Sequence, residues 1–191
     1  MGRKVKTEPS SDGFFNSGGI HKTRIDGKKT KVCRIWENMR QRCGLPALKE
    51  RCKSYEQVTC CEEWLDFQVF AEWFENQKTS GYYQDDYHLD KDILSRDSKT
   101  YSPSTCCFIP REINNALVRR NKDGIWGVYK SGNYFEVKTN WCERKRFIHE
   151  EDAFLYYKKE KERHLKFIAE KYKMTIDPLV YQKLITYEVV K

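Results

Sequence analysis

The stretch "CCEEWLDFQVFAEWFENQ", residues 60–77, constrains the fold more than any other part of the chain. Trp64, Phe67, Phe70, Ala71 and Phe74 recur at intervals of three and four, so a helix here carries one wide aromatic stripe. That much aromatic surface on one side has to be buried, which makes the stripe part of a core rather than a cofactor surface. Glu62, Glu63 and Asp66 come first, and the spacing predicts them in the opening turn of that helix, where its dipole favours acids. Upstream, "KVCRIWENMRQRC" (31–43) sets Val32, Ile35, Trp36 and Met39 at helical spacing, with Gly44 and Pro46 as its stop. A helical N-terminal region is expected.

The C-terminal part has a different period. "GIWGVYK" and "NYFEVKTNW" alternate and are joined across "SGN", a hairpin signal, and "ERKRFIH" predicts a third short strand. "EEDAFLYYKKEKERHLKFIAEKYK" opens with three acids and carries Ala153, Tyr157, Leu165, Ile168 and Tyr172 on one helical face. A short further helix is expected after Pro178. The Asn-Lys-Asp-Gly turn at 121–124 marks a boundary. The expected organisation is a flexible basic arm over 1–30, a domain over 31–120 and a second over 121–191.

Net charge is +8, but its distribution says more than its total. Residues 1–58 hold 14 basic and 6 acidic side chains, residues 59–120 hold 7 and 11, and residues 121–191 hold 15 and 11. Two basic flanks around an acidic centre favour a polyanionic partner, because cations placed against phosphates release condensed counterions. The eight cysteines contain no Cys-x-x-Cys pair, so reduced thiols are expected and structural zinc is not. No apolar run is long enough to span a membrane and the opening "MGRKVKTEPSSDG" has no apolar core, so no membrane partner is expected and the cytoplasm is the expected compartment.

Between the two patterned halves lies "HLDKDILSRDSKTYSPSTCCFIPREINN" (88–115), with carboxylates at its start and amides at its end. Asp90 and Asp92 follow a strand-like run, and "PREINNAL" can start a helix after Pro110 that carries Asn114 and Asn115. A carboxylate at a strand end and an amide oxygen on a following helix can together hold one hard divalent cation. Spacing alone equally permits a solvated Asp-x-Asp turn and a capping Asn pair.

The ordered motifs "LDKDIL", "YSP" followed by a Cys, and "FIPREIN" resemble the ββα-metal core of phage-encoded HNH and homing-type endonucleases. Trp36, Met39, Arg42 and Cys43, with "CEEWLDFQVFAEWF" at 61–74, resemble the helical region preceding that core, so the likeness covers roughly residues 32–120. It implies a DNA phosphodiesterase that binds one divalent cation, Mg2+ or Mn2+, through Asp90 and Asn114, with Asp92 and Asn115 as alternates. The family's general base is a His directly after that Asp, and here the position is Lys91. A protonated lysine cannot take a proton from water, though it can neutralise phosphate charge. His88, two residues before Asp90 on the same strand face, is the nearest replacement base. Tyr101 in the "YSP" turn is a further catalytic candidate whose plainer role is packing.

"GVYKSGNYFEVK" with the acid-led helix after it resembles the Apetala or ethylene-response-factor type DNA-binding domain, over about residues 124–170. Alternation puts Val128, Phe135, Val137 and Phe147 on one face of the sheet. Tyr129, Tyr134, Glu136, Lys138, Arg144 and Arg146 fall on the other, and the resemblance implies that Tyr129, Glu136, Lys138, Arg144 and Arg146 face DNA. Tyr129 stands where that family usually has an arginine.

The expectation is an α+β protein: a helical N-terminal region, a ββα-metal nuclease core, and a C-terminal three-stranded antiparallel sheet packed on a helix. It is expected to act as a monomer on double-stranded DNA, in the host bacterial cytoplasm if phage-encoded. The alternative is a catalytically inactive, sequence-specific DNA-binding regulator built on the same scaffold, which Lys91 favours.

Overall fold

A computed structural model describes residues 10–44, 55–95, 98–117 and 127–190. The turn at 121–124 and Cys52 lie outside the described residues. The chain is α+β and divides into two units, 1–108 and 109–191. Among the described residues no helix is long and apolar enough to cross a membrane.

The first unit is built on two helices. Helix α1 (Lys31–Gly44) buries Val32, Cys33, Trp36 and Met39, and α2 (Phe67–Thr79) buries Phe67, Phe70, Ala71 and Phe74. Trp36 meets Phe67 edge-on at 5.6 Å between ring centroids and donates its indole N–H to the Trp64 carbonyl at 2.8 Å. A buried Trp thus packs its body while its one donor is satisfied. Phe108 closes the far side of the stripe against Phe74, Tyr83 and Trp73.

The helix start differs from the expectation for Glu62 and Glu63. A 3-10 turn (Glu63–Leu65) comes first, Asp66 is extended, and its carboxylate accepts the N–H of Gln68. Asp66 is therefore the N-cap, which satisfies one of the free amide groups of the first turn and fixes the helix to begin at Phe67. Trp64 leaves the helix yet stays fully buried.

Within the stretch expected as a mobile arm, residues 10–30 carry packed structure. Phe14 is 3% exposed against Trp36, and strands β1 (Arg24–Ile25) and β2 (Lys28–Lys29) form an antiparallel hairpin. The remaining strands of this unit are short. β3 (Thr59–Cys60) runs parallel to β5 (Thr100–Tyr101), and β4 (Tyr87–Asp90) forms a two-stranded sheet with β6 (Cys107–Pro110).

The second unit contains helix α3 (Arg111–Leu117), the sheet β7 (Val128–Ser131), β8 (Tyr134–Val137) and β9 (Lys145–Phe147), and helices α4 (Glu150–Tyr172) and α5 (Pro178–Ile185). β7 and β8 meet across the two residues Gly132 and Asn133, and Gly132 takes a φ of +60° that an L side chain would resist. Val128 and Val137 face α4 and share a core with Ala153, Phe154 and Tyr157. Val189 joins them from beyond α5, its N–H donated to Glu162 and its carbonyl accepting from Lys158.

Lys161 is buried on α4, 6% exposed. Its ammonium donates to the Ala116 carbonyl in the last turn of α3 and lies 5.4 Å from the Trp141 ring centroid. The cation compensates the carbonyl end of α3, where the helix dipole favours positive charge. At the start of α3, Glu112 accepts from Lys171 and from the Tyr172 hydroxyl.

Candidate functional site

The chemistry-bearing residues of the first unit gather around the end of β4. Tyr87 turns into the core, His88 is exposed, and Asp90 is half-buried where the strand stops. Asp90 Oδ1 accepts the backbone N–H groups of Asp92 and Ile93, both at 2.9 Å, and so caps the turn that follows. Asp90 Oδ2 accepts no hydrogen bond among the described residues. Burial pushes the Asp90 carboxyl above the usual carboxylate range, and the two N–H bonds only partly offset it.

Lys91 occupies the position beside Asp90, but its side chain is buried, 7% exposed overall, and its ammonium donates to the exposed Asp92 carboxylate. Tyr101 is also buried, and its hydroxyl accepts from Arg42 Nη1 at 3.0 Å. Burial drives the Tyr101 phenol up to about 12 against the pull of that guanidinium, so it stays protonated near neutrality. Packing and a fixed hydrogen bond account for this residue.

Arg42 was legible only as one letter of a motif. It lies within electrostatic reach of Asp90 and Tyr101, from the last turn of α1. Four thiols surround the same region: Cys60 hydrogen-bonds with Cys43, while Cys61 and Cys106 lie close enough to disfavour its ionisation. Cys106 is pushed up to about 12, mainly by burial. The upward shifts at Cys60, Cys61 and Cys106 disfavour the thiolate that a nucleophile needs. Among the described residues no group of three His, Cys, Asp or Glu side chains is arranged to hold a metal ion. Asp90 does suit a hard cation as a single ligand, since one carboxylate oxygen remains uncommitted in a partly desolvated position.

Asn114 and Asn115 belong to the second unit, on α3, where Asn114 is half-buried and Asn115 exposed. The second candidate surface is the open face of the three-stranded sheet. Register places Tyr129, Glu136 and Arg146 in one row across the strands. Glu136 is 7% exposed, and its carboxylate accepts from Arg144 at 2.7 and 2.9 Å and from Arg146 at 3.0 Å. These hydrogen bonds hold the Glu136 carboxyl below its ordinary range. Tyr129, Lys138, Arg144 and Arg146 are exposed, with Tyr134 beside them. The face division read from alternation matches: Val128 and Val137 inward, the polar row outward.

No family model, curated protein or solved structure matches the chain.

Function is therefore read from these two surfaces. One is a sheltered carboxylate at a strand end, and the other is an open basic sheet face whose arginines are held in place by a buried acid.

Proposed function

We propose that the chain is a divalent-metal-dependent DNA endonuclease of the HNH or homing type, hydrolysing phosphodiester bonds of double-stranded DNA. The observation that carries the reading is Asp90, a desolvated carboxylate with one oxygen uncommitted, at the end of a strand. β4, β5, β6 and α3 follow in chain order, and β4 with β6 and then α3 is compatible with the strand, strand, helix order of a ββα-metal core.

In this reading Asp90 is a ligand of the cation, and the resemblance implies Asn114 as a second, with Asp92 and Asn115 as alternates. A bound Mg2+ or Mn2+ supplies charge stabilisation at the oxygen leaving phosphorus. His88, exposed on the strand face of Asp90, takes the proton of the attacking water. Lys91 neutralises Asp92 and so leaves Asp90 as the cation's carboxylate. The C-terminal sheet, in the manner of an Apetala-type domain, lays Tyr129, Lys138, Arg144 and Arg146 against DNA, and Glu136 orients both arginines.

The test is incubation of the purified protein with plasmid and with candidate host or phage DNA, comparing Mg2+ or Mn2+ with EDTA. Metal-dependent cleavage is expected; tight binding with no cutting on any of these DNAs sinks the enzyme reading.

One observation favours a second reading. The lysine in the base position is buried and paired, so a DNA-binding regulator that has lost catalysis fits the same scaffold. Asp90→Ala combined with Asn114→Ala separates the two: the nuclease loses cleavage and keeps binding, whereas the regulator loses nothing.

A further inference from the structure

The hairpin β1–β2 is a basic ribbon that neither candidate surface uses. Its turn is Asp26-Gly27 with φ of +49° and +75°, both left-handed, which is the geometry that matches the twist of a two-residue hairpin. Arg24 pairs with Lys29 and Ile25 with Lys28, so each pair shares one face of the ribbon. All four side chains are exposed, Ile25 to 59%.

The ribbon's base is fixed. Thr30 donates its N–H to the Thr23 carbonyl and its hydroxyl to the Lys22 carbonyl, while the same hydroxyl accepts the N–H of Cys33. One residue therefore closes the hairpin and caps α1. Gln68 on α2 grips His21 from both sides, accepting its N–H and donating to its carbonyl.

Charge is concentrated here. Lys22, Arg24, Lys28, Lys29, Lys31 and Arg34 lie within 13 residues, opposed by Asp26 at the turn and by Glu37, which pairs with Lys29. Asp85 lines the cleft beside Lys22 and Lys31. Lys22 and Lys28 make no ion pair or side-chain hydrogen bond among the described residues. The first turn of α1 holds no acid, so the positive end of its dipole adds to the field.

We propose that the Arg24–Lys29 ribbon is a second contact for duplex DNA, made through its phosphates and separate from the C-terminal sheet. The proposal rests on the DNA-binding part of the function proposed above. A two-stranded ribbon is narrow enough to enter the major groove, and its free cations are of the kind that replace condensed counterions. Fixing the base in advance lowers the ordering cost on binding.

The experiment uses the full chain and a fluorescent DNA duplex, with affinity measured by anisotropy over a range of salt concentrations. Lys22→Ala/Arg24→Ala/Lys28→Ala is expected to make the slope of log affinity against log salt shallower by about 3 and to weaken binding at least tenfold, at about 0.9 of slope per phosphate no longer engaged. Lys22→Ala/Lys28→Ala, which leaves the ion pairs among the described residues in place, is expected to lower the slope by about 2. Lys159→Ala/Lys166→Ala/Lys183→Ala removes the same charge from α4 and α5 and is expected to change it far less. If the ribbon variants bind like wild type, or the α4–α5 control falls equally, the ribbon is not a contact. Weakened binding to single-stranded RNA with duplex affinity unchanged would also overturn it. A wild-type chain that binds no duplex removes the DNA reading itself, an outcome distinct from the first two.

Discussion

Asp90 in the first unit and Glu136 in the second are both sheltered carboxylates, yet their surroundings push them in opposite directions. Asp90 has only backbone N–H groups as hydrogen-bond partners among the described residues, and desolvation outweighs them, so its proton is held more tightly than usual. Glu136 accepts three hydrogen bonds from two guanidinium groups, so its proton is held less tightly. The first arrangement leaves an anion seeking a cation. In the second the cations are already present, and what remains to offer a ligand is the outward side of two arginines. Sheltered acids thus serve two ends: in the proposed enzyme one offers an opening for a metal ion, while the other preorganises basic side chains.

The sharpest way to break this contrast is Asp90→Ala. In the proposed enzyme it cuts the cleavage rate on the order of a thousandfold, equivalent to about 4 kcal/mol, and leaves DNA affinity within about twofold. Cleavage kinetics and anisotropy on the same preparation check it, and cutting within about tenfold of wild type would remove Asp90 from the site.

Lys161→Met asks whether the second unit tolerates losing a buried cation that already has its partner. The Ala116 carbonyl would be left without its buried donor, at a cost of about 1–3 kcal/mol in urea unfolding. A change below half of that would show that water replaces the ammonium.

Arg144→Ala/Arg146→Ala tests the exposed side of the pair. Without these two cations against phosphate, the salt slope of DNA affinity becomes shallower by about 2 while cleavage chemistry at saturating protein is unchanged. Unaltered affinity and slope would disprove the sheet assignment.

The smallest effects are those of pH, and they run in opposite senses. Because the Asp90 proton is held more tightly in the fold, its contribution to stability is present below the unfolded carboxylate range and lost as pH rises through the raised value. Protons compete with the cation, so divalent-ion affinity, followed by calorimetry, falls as pH drops through that value. For Glu136 the contribution is present above the unfolded range and lost as pH falls through the lowered value. Glu136→Gln should therefore lower Tm at about pH 7, with the difference from wild type shrinking across the acid range as pH falls through the lowered value. A constant offset across that range would mean that the ion pairs contribute nothing.

Period and turn chemistry made much of the fold legible. The stripe from Phe67 to Phe74, the "SGN" hairpin, the acid-led helix α4 and the short helix at Pro178 lie where the spacing puts them, because each signal is local and each element buries the face its pattern defines. The start of α2 was misread by several residues, since Glu62, Glu63 and Asp66 are all acids and only backbone geometry distinguishes a cap from a first turn. The arm was misread for a different reason. Its anchors are one phenylalanine, Phe14, and two side chains far along the chain, Gln68 and Asp66, so no local pattern reveals them.

At the candidate site, the order of Asp90, Tyr101 and Asn114 was legible, and so was the absence of a histidine at Lys91. The burial of Lys91 against Asp92, the protonated state of Tyr101 beneath Arg42, and the single open oxygen of Asp90 were not. The same held on the sheet, where alternation put Glu136 among the exposed residues but could not show that Arg144 and Arg146 close over it.

Sequence by itself determined the main helices and the C-terminal hairpin, and which of their faces turn inward, because those follow from repeats of two to four residues. Tertiary structure decided the charge state and freedom of each polar group, because desolvation and ion pairing depend on neighbours brought from far along the chain, as with Arg42 and Tyr101, 59 residues apart.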